Sequence, residues 1–219
     1  MKPWQPFLRR RTLLLATAAI LAGCAAPRAP VETAASNPAL AQPIRLVTSG
    51  GFAEAHRRLF PLFEQQTGAK VESAYGSSMG ASATSIPHRL ERGEPIDVVV
   101  LERGALDKLV AAGLVVPGSQ VDLVRSSIGL AVRAGAPVPD ISTEAKLRQV
   151  LLDAPSIAYS ASASGVFYET TMLKKLGIEA QVLPKSQKIV GDRVGTIVAR
   201  CYAAVGRQQV SELLPIEGI

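Results

Sequence analysis

Cysteine, histidine and aromatic side chains are scarce in this chain. Its 219 residues include two cysteines, two histidines, one tryptophan and 5% aromatics. Cys24 and Cys201 cannot build a thiol-rich metal site. His56 and His88 lie beside arginines, in His56-Arg57-Arg58 and Pro87-His88-Arg89, and read as solvent-facing. There is no HExxH, no Walker A lysine loop and no GxSxG elbow. The segment Gly76–Gly80 (GSSMG) resembles the elbow faintly, with Ser78 at its centre and no base partner in view. A serine hydrolase is therefore disfavoured, and no metal or cofactor is expected. The apolar run from Leu13 to Ala22 is too short to span a bilayer comfortably.

What the amino end does have is an export pattern. Arg9, Arg10 and Arg11 precede the apolar run, and small residues follow it. Leu21-Ala22-Gly23-Cys24 matches the site at which lipoprotein signals are cut. Residues 1–23 are thus expected to be a signal peptide, with lipid carried by Cys24 and the protein held at the outer face of the cell membrane or in the periplasm. An ordinary signal cut near Ala41 is the alternative, and the arginine pair also suits twin-arginine export. With Cys24 lipidated, Cys201 has no disulfide partner. Residues 24–43, rich in alanine and proline, read as a flexible tether.

Most of the net charge of +6 belongs to that signal. The first 23 residues hold four of the 24 basic side chains and no acid, leaving 20 against 18. A body at +2 has no nucleic-acid footprint.

From residue 44 the chain alternates short apolar runs with helical patterns. Ile44 to Thr48, Lys70 to Tyr75 and Pro95 to Val100 read as strands, each followed by a helix; Pro87 is expected to kink or divide the second helix. Such strands imply a parallel sheet covered by helices. Ser126 to Val132, Ser156 to Tyr159 and Ala203 to Val205 read as strands of a second unit. Thr143 to Leu152 and Phe167 to Leu176 read as its helices, Ser142 could cap the first of them, and Gln187 to Arg200 has mixed helical character. The expected architecture is α/β with two lobes, 44–124 and 125–210, and residues 211–219 beginning a return to the first.

Three loops share one chemistry: Ser49-Gly50-Gly51, Gly76-Ser77-Ser78 and Ser160 to Gly165. Each places hydroxyls and glycine between a strand and a helix. Helix amino ends offer unpaired N–H groups and partial positive charge. Facing one cleft, the three would hold an anion without a formal cation. Each loop alone is equally well an N-cap and a turn. Arg193, in Gly191-Asp192-Arg193-Val194-Gly195, is either a bidentate carboxylate ligand or a surface arginine. Asp97 begins a strand and has no clear acid partner.

In these loops, in Gly93-Glu94-Pro95-Ile96-Asp97-Val98-Val99-Val100 and in Ser164-Gly165-Val166-Phe167-Tyr168, the chain resembles the periplasmic molybdate-binding protein family, type 2 solute-binding proteins, and its uncharacterised relatives. The likeness runs from Ile44 to about Gln209. It implies two lobes that close on a small anion and hand it to an ABC transporter permease, in a monomer that is not an enzyme. On that pattern Ser49, Gly50, Ser77 and Ser78 serve the first lobe. Ser127, Ser162 and Ser164 serve the second, with Val194 giving a backbone contact.

Three departures qualify the pattern. Gln208 stands where molybdate binders carry tyrosine, and Arg207 and Gln208 suit a carboxylate better than a tetrahedral oxyanion. Arg200-Cys201-Tyr202-Ala203 replaces the Arg-Gly-Glu-Ala of relatives. The chain also ends before the elements that would return to the first lobe, so a C-terminal truncation is expected. An exported sensory module and a non-functional remnant are the alternatives to an importer component.

Overall fold

A computed structural model describes residues 42–219; the expected signal peptide and Cys24 lie outside the described residues. Within 42–219 the chain forms two sheets with helices on their faces, a two-lobed α/β fold.

The first sheet has the order β2-β1-β3, all parallel. β1 (Ile44–Thr48) is central and buries Leu46, Val47 and Thr48. β2 (Val71–Tyr75) and β3 (Val98–Val100) flank it. Helix α1 (Gly50–Thr67) follows β1 and ends at Gly68, whose φ of 73° takes the left-handed stop that glycine permits. Helix α2 is only Ile86–Glu91. Pro87 stands in its first turn, where the missing N–H costs nothing, so the proline starts the helix rather than kinking it. Helix α3 (Arg103–Ala111) is capped by Glu102, whose carboxylate accepts from the N–H groups of Gly104 and Ala105.

The second sheet has the order β4-β7-β5-β6. β4 (Ile128–Val132) runs antiparallel to β7 (Val205–Gln209), and β5 (Ile157–Ser160) runs parallel to both β7 and β6 (Ser186–Ile189). Helix α4 (Glu144–Asp153) is capped by Thr143, not Ser142; the Ser142 N–H instead donates to Asp140. Helix α5 (Ala163–Phe167) passes through a π-helical turn, Tyr168–Met172, into α6 (Leu173–Lys175). Helices α7 (Glu179–Val182), α8 (Val194–Ala199) and α9 (Val210–Leu213) complete the unit. The larger core lies here: Leu151, Ile157, Tyr168, Leu173, Ile178 and Val182 have no exposed surface.

Further sequence expectations are corrected. Gln187 to Arg200 divides into the edge strand β6 and the six-residue helix α8. The strand expected at Ala203 begins at Val205 and runs to Gln209. His56 is not solvent-facing: it is 5% exposed on the inner face of α1. Its Nε2 lies 2.9 Å from Ser73 Oγ and its Nδ1 3.3 Å from the Tyr75 hydroxyl, both on β2. Burial, then Arg57, lowers its pKa. His88 is half-buried, with Nδ1 2.8 Å from Ser85 Oγ. Asp97 ties β3 to β1, accepting from the Arg45 N–H at 2.8 Å and from its guanidinium at 2.9 and 3.0 Å. That bonding holds the carboxyl down at about 2.

Candidate functional site

A cleft of about 520 Å³ opens between the two sheets. Ser49, Gly51, Ser78 and Val100 line it from one side, and Ser164, Phe167, Thr170 and Thr171 from the other, with Ser126 and Gln209 among the lining residues. The volume lies in the range of small-molecule sites. The lobes come close at one rim: a Cβ on Gly80 would stand 3.1 Å from the Ala161 carbonyl oxygen.

The local chain explains how each hydroxyl arrives there. Ser49 is extended, with φ −77° and ψ 162°, and its N–H continues the sheet by donating to Val100. Its side chain makes no cap bond, so the hydroxyl and the first N–H groups of α1 are uncommitted to each other. Ser78 is 3% exposed and its Oγ accepts the Glu102 N–H at 3.1 Å, which fixes its loop against the one that opens α3. Ser164 Oγ lies 2.8 Å from Ser160 Oγ within the loop that opens α5. Gly165 is required behind it, since a Cβ there would fall 1.6 Å from the Ser160 carbonyl oxygen. Gly76 is required in the same way by the Thr84 carbonyl, at 2.3 Å. Ser77 holds its loop through its carbonyl, which accepts the Ile86 N–H, and Ser162 is the extended residue before α5.

The other sequence candidates gather elsewhere. Gly50, Arg193, Val194 and Gln208 surround a residue that sequence reasoning missed, Glu212. The Val194 N–H donates to Gln208 Oε1 at 3.0 Å, and Gln208 Nε2 donates to Glu212 Oε1 at 2.9 Å. Glu212 Oε1 lies 2.0 Å from where a Gly50 Cβ would stand, so only glycine admits the carboxyl at the start of α1. Ser211 Oγ donates to the Gly51 carbonyl at 2.7 Å. Burial pushes the Glu212 carboxyl up to about 7, against Arg193 and the Gln208 bond, which favour its charged form. The Val194 N–H is thus satisfied within the protein by Gln208. Ser127 meets α9 through its carbonyl, which accepts the Val210 N–H, while its neighbour Ser126 lines the cleft. The two groups stand on opposite faces of β7: Gln209 faces the cleft and Gln208 faces α8.

Among the described residues no group of three His, Cys, Asp or Glu side chains is placed to hold a metal ion. Cys201 is exposed and takes a φ of 62°, the left-handed conformation in which relatives' glycine would be unstrained. The chemistry of the cleft is that of hydroxyls, backbone N–H groups and apolar walls, with Glu102 and the paired Arg103 and Asp122 at its edge.

Comparison with known proteins agrees with this architecture. A protein named aconitate isomerase, from Pseudomonas sp, is 44% identical over 189 residues, covering 84% of this chain and 72% of its own. The periplasmic molybdate-binding protein of Azotobacter vinelandii superposes with a TM-score of 0.57 at 21% identity, over 77% of this chain and 72% of its own. A substrate-binding domain assigned to a molybdenum ABC transporter of Clostridium difficile superposes with a TM-score of 0.55 at 19% identity, over 80% and 74%. At those identities the two structures support the fold alone. The family model for bacterial extracellular solute-binding proteins matches residues 44–218, from the first strand to the end of the second sheet's unit. The chain belongs to the bacterial extracellular solute-binding protein family, with the extracytoplasmic location that goes with it.

Proposed function

We propose that this protein binds a small polycarboxylate between its lobes, near residues 44–124 and 125–210, and delivers it to an ABC permease. Export by residues 1–23, a lipid on Cys24 and a tether over 24–43 belong to the same proposal. What carries it is the cleft, where Ser49, Ser126 and Ser164 meet apolar walls at Phe52, Val100, Leu101 and Phe167. A stripped tetrahedral oxyanion has no use for those walls, whereas a carbon skeleton bearing carboxylates uses both surfaces. The ligand class is also that of the 44% identical relative, whose name refers to aconitate, an unsaturated tricarboxylate. Lobe closure would bring Ser77, Ser127 and Ser162 to the ligand, while Arg193 and Gln208 stand about Glu212 behind β7.

Calorimetric titration of the purified protein against aconitate isomers, citrate, succinate, molybdate and sulfate tests this reading. Saturable binding of a polycarboxylate, without binding of molybdate, is expected. Binding of molybdate or sulfate alone would sink it.

The relative's name favours one second reading, in which the cleft also isomerises its ligand. Moving a double bond along a chain takes a proton from one carbon and returns it at another. Glu212, pushed up to about 7 by burial, is the titratable group beside the start of α1, and this reading requires its carboxyl to reach the ligand from the far face of β7. Proton NMR of cis- or trans-aconitate incubated with the protein decides: an isomer ratio that never departs from the buffer control excludes it.

A further inference from the structure

β7 carries a buried guanidinium without a counter-charge. Arg207 is 6% exposed. Among the described residues its Nε has no hydrogen-bond partner, and its Nη1 meets only the sulfur of Met172. The Tyr168 ring lies 5.3 Å from its Cζ. The nearby acid, Glu169, is committed to the Tyr159 hydroxyl and to Lys188 Nζ at 2.8 Å. Burial pulls the Arg207 pKa down to about 10, leaving it charged at neutral pH. Leaving a cation in the interior without an anion is expensive, and folded proteins retain such a charge for a reason.

Its position in the sheet supplies one. Arg207 pairs with Leu130, and Gln209 pairs with Ile128, on the same face of β7 and β4. Ile128 and Gln209 line the cleft, as do Thr170 and Thr171 of the π-helical turn. Arg207 is therefore one pleat beneath the cleft wall. Gln209 has a buried Oε1 that is also without a partner among the described residues. Two unsatisfied polar groups thus stand on one face of β7, Gln209 in the cleft wall and the charged Arg207 behind it. The covering side chain, Met172, is unbranched and easily repacked. It lies in a π-helical turn, a distortion that proteins place at functional sites.

We infer that Arg207, with Gln209 beside it, is the carboxylate-recognising floor of the cleft, and that the ligand supplies the counter-charge the fold leaves out. This rests on the polycarboxylate reading above. A planar guanidinium matches a carboxylate bidentately, and the Gln209 side chain can turn its amide to a second carboxylate oxygen. The hydroxyl loops then hold the remaining carboxylates, so the site reads charge from one lobe and shape from both.

The test uses the full chain and three variants, Arg207→Met, Arg207→Lys and Gln209→Ala, titrated with trans-aconitate, citrate and molybdate and melted without ligand. Arg207→Met removes an uncompensated buried charge, so its Tm is expected to rise by a few degrees. Its affinity for the tricarboxylate is expected to fall on the order of a hundredfold or more. Arg207→Lys keeps the charge without the fork and should lose roughly tenfold. Gln209→Ala should lose less. An arginine that merely supports the fold predicts the opposite pattern, a lower Tm with Kd unchanged, and that result overturns the inference while the polycarboxylate reading stands. If Arg207→Met does not fold, Arg207→Lys decides, and an unchanged Kd overturns the inference. Wild-type protein that binds molybdate alone, or none of the three, overturns both.

Discussion

The two lobes bury their side chains differently. In the first, three buried hydrophobic residues, Val47, Ile86 and Leu109, form the centre of a thin core, and its arginines are met by acids, Arg45 by Asp97 at the surface and the largely buried Arg89 by Glu94. In the second, eleven buried residues form one cluster, and a guanidinium lies within its sheet. The free edge of the first sheet, at β3, also carries an apolar groove of about 530 Å³ along Leu90, Ile96, Val98 and Val115. On the inference drawn above, the second lobe reads charge through Arg207, while the first contributes hydroxyls and helix N–H groups.

If that contrast is right, core truncation should hurt the second lobe more. Leu173→Ala empties a site with no exposed surface and is expected to cost about 3–5 kcal/mol in urea unfolding. Val47→Ala, in the thin core, removes a smaller side chain and should cost about 2 kcal/mol. Equal losses would dissolve the distinction.

The junction between the lobes can be probed by pH. Glu212 has a carboxyl raised to about 7 by burial, against an ordinary 4.5. The folded state then holds a proton that the unfolded state releases. Its contribution to stability is fully present below about pH 4.5 and is lost as pH rises through about 7. Unfolding at pH 5 and pH 8 should differ by on the order of 2 kcal/mol, allowing for partial exposure, with the protein more stable at pH 5. Asp97 and Asp140, held down at about 2, act in the opposite sense and only at lower pH. Glu212→Gln should flatten the slope between pH 5 and 8; a slope that survives the substitution assigns it to another group.

The smallest effect concerns Cys201. Its φ of 62° places a side chain in the left-handed region at the end of α8. Cys201→Gly should stabilise the protein by about 1 kcal/mol, read as a shift in the urea midpoint at constant slope. No gain would mean that the cysteine pays its strain back through contacts.

Much of this was legible before the structure. β1, β3 and β5 announce themselves because a buried parallel strand is rich in apolar residues, as Leu46-Val47, Val98–Val100 and Ile157-Ala158-Tyr159 are. The serine and glycine loops are visible because a strand-to-helix turn that approaches a ligand demands small residues. β6 was hidden because an edge strand reading Ser-Gln-Lys-Ile needs little hydrophobicity. His56 looked exposed because its neighbours are arginines; its own face of α1 turns to β2. Glu212 and the floor at Arg207 were out of reach for a different reason. Gly50 and Glu212 are far apart along the chain, and the missing partner of a buried charge is a property of the assembled sheet. Neither is a pattern in neighbouring residues.

A crystal structure of the protein grown with trans-aconitate tests the central claim most directly. The account predicts the ligand between the lobes, with one carboxylate paired to the Arg207 guanidinium and others among Ser49, Ser126 and Ser164. Ligand density elsewhere, or in the cleft with Arg207 still covered by Met172, would contradict it.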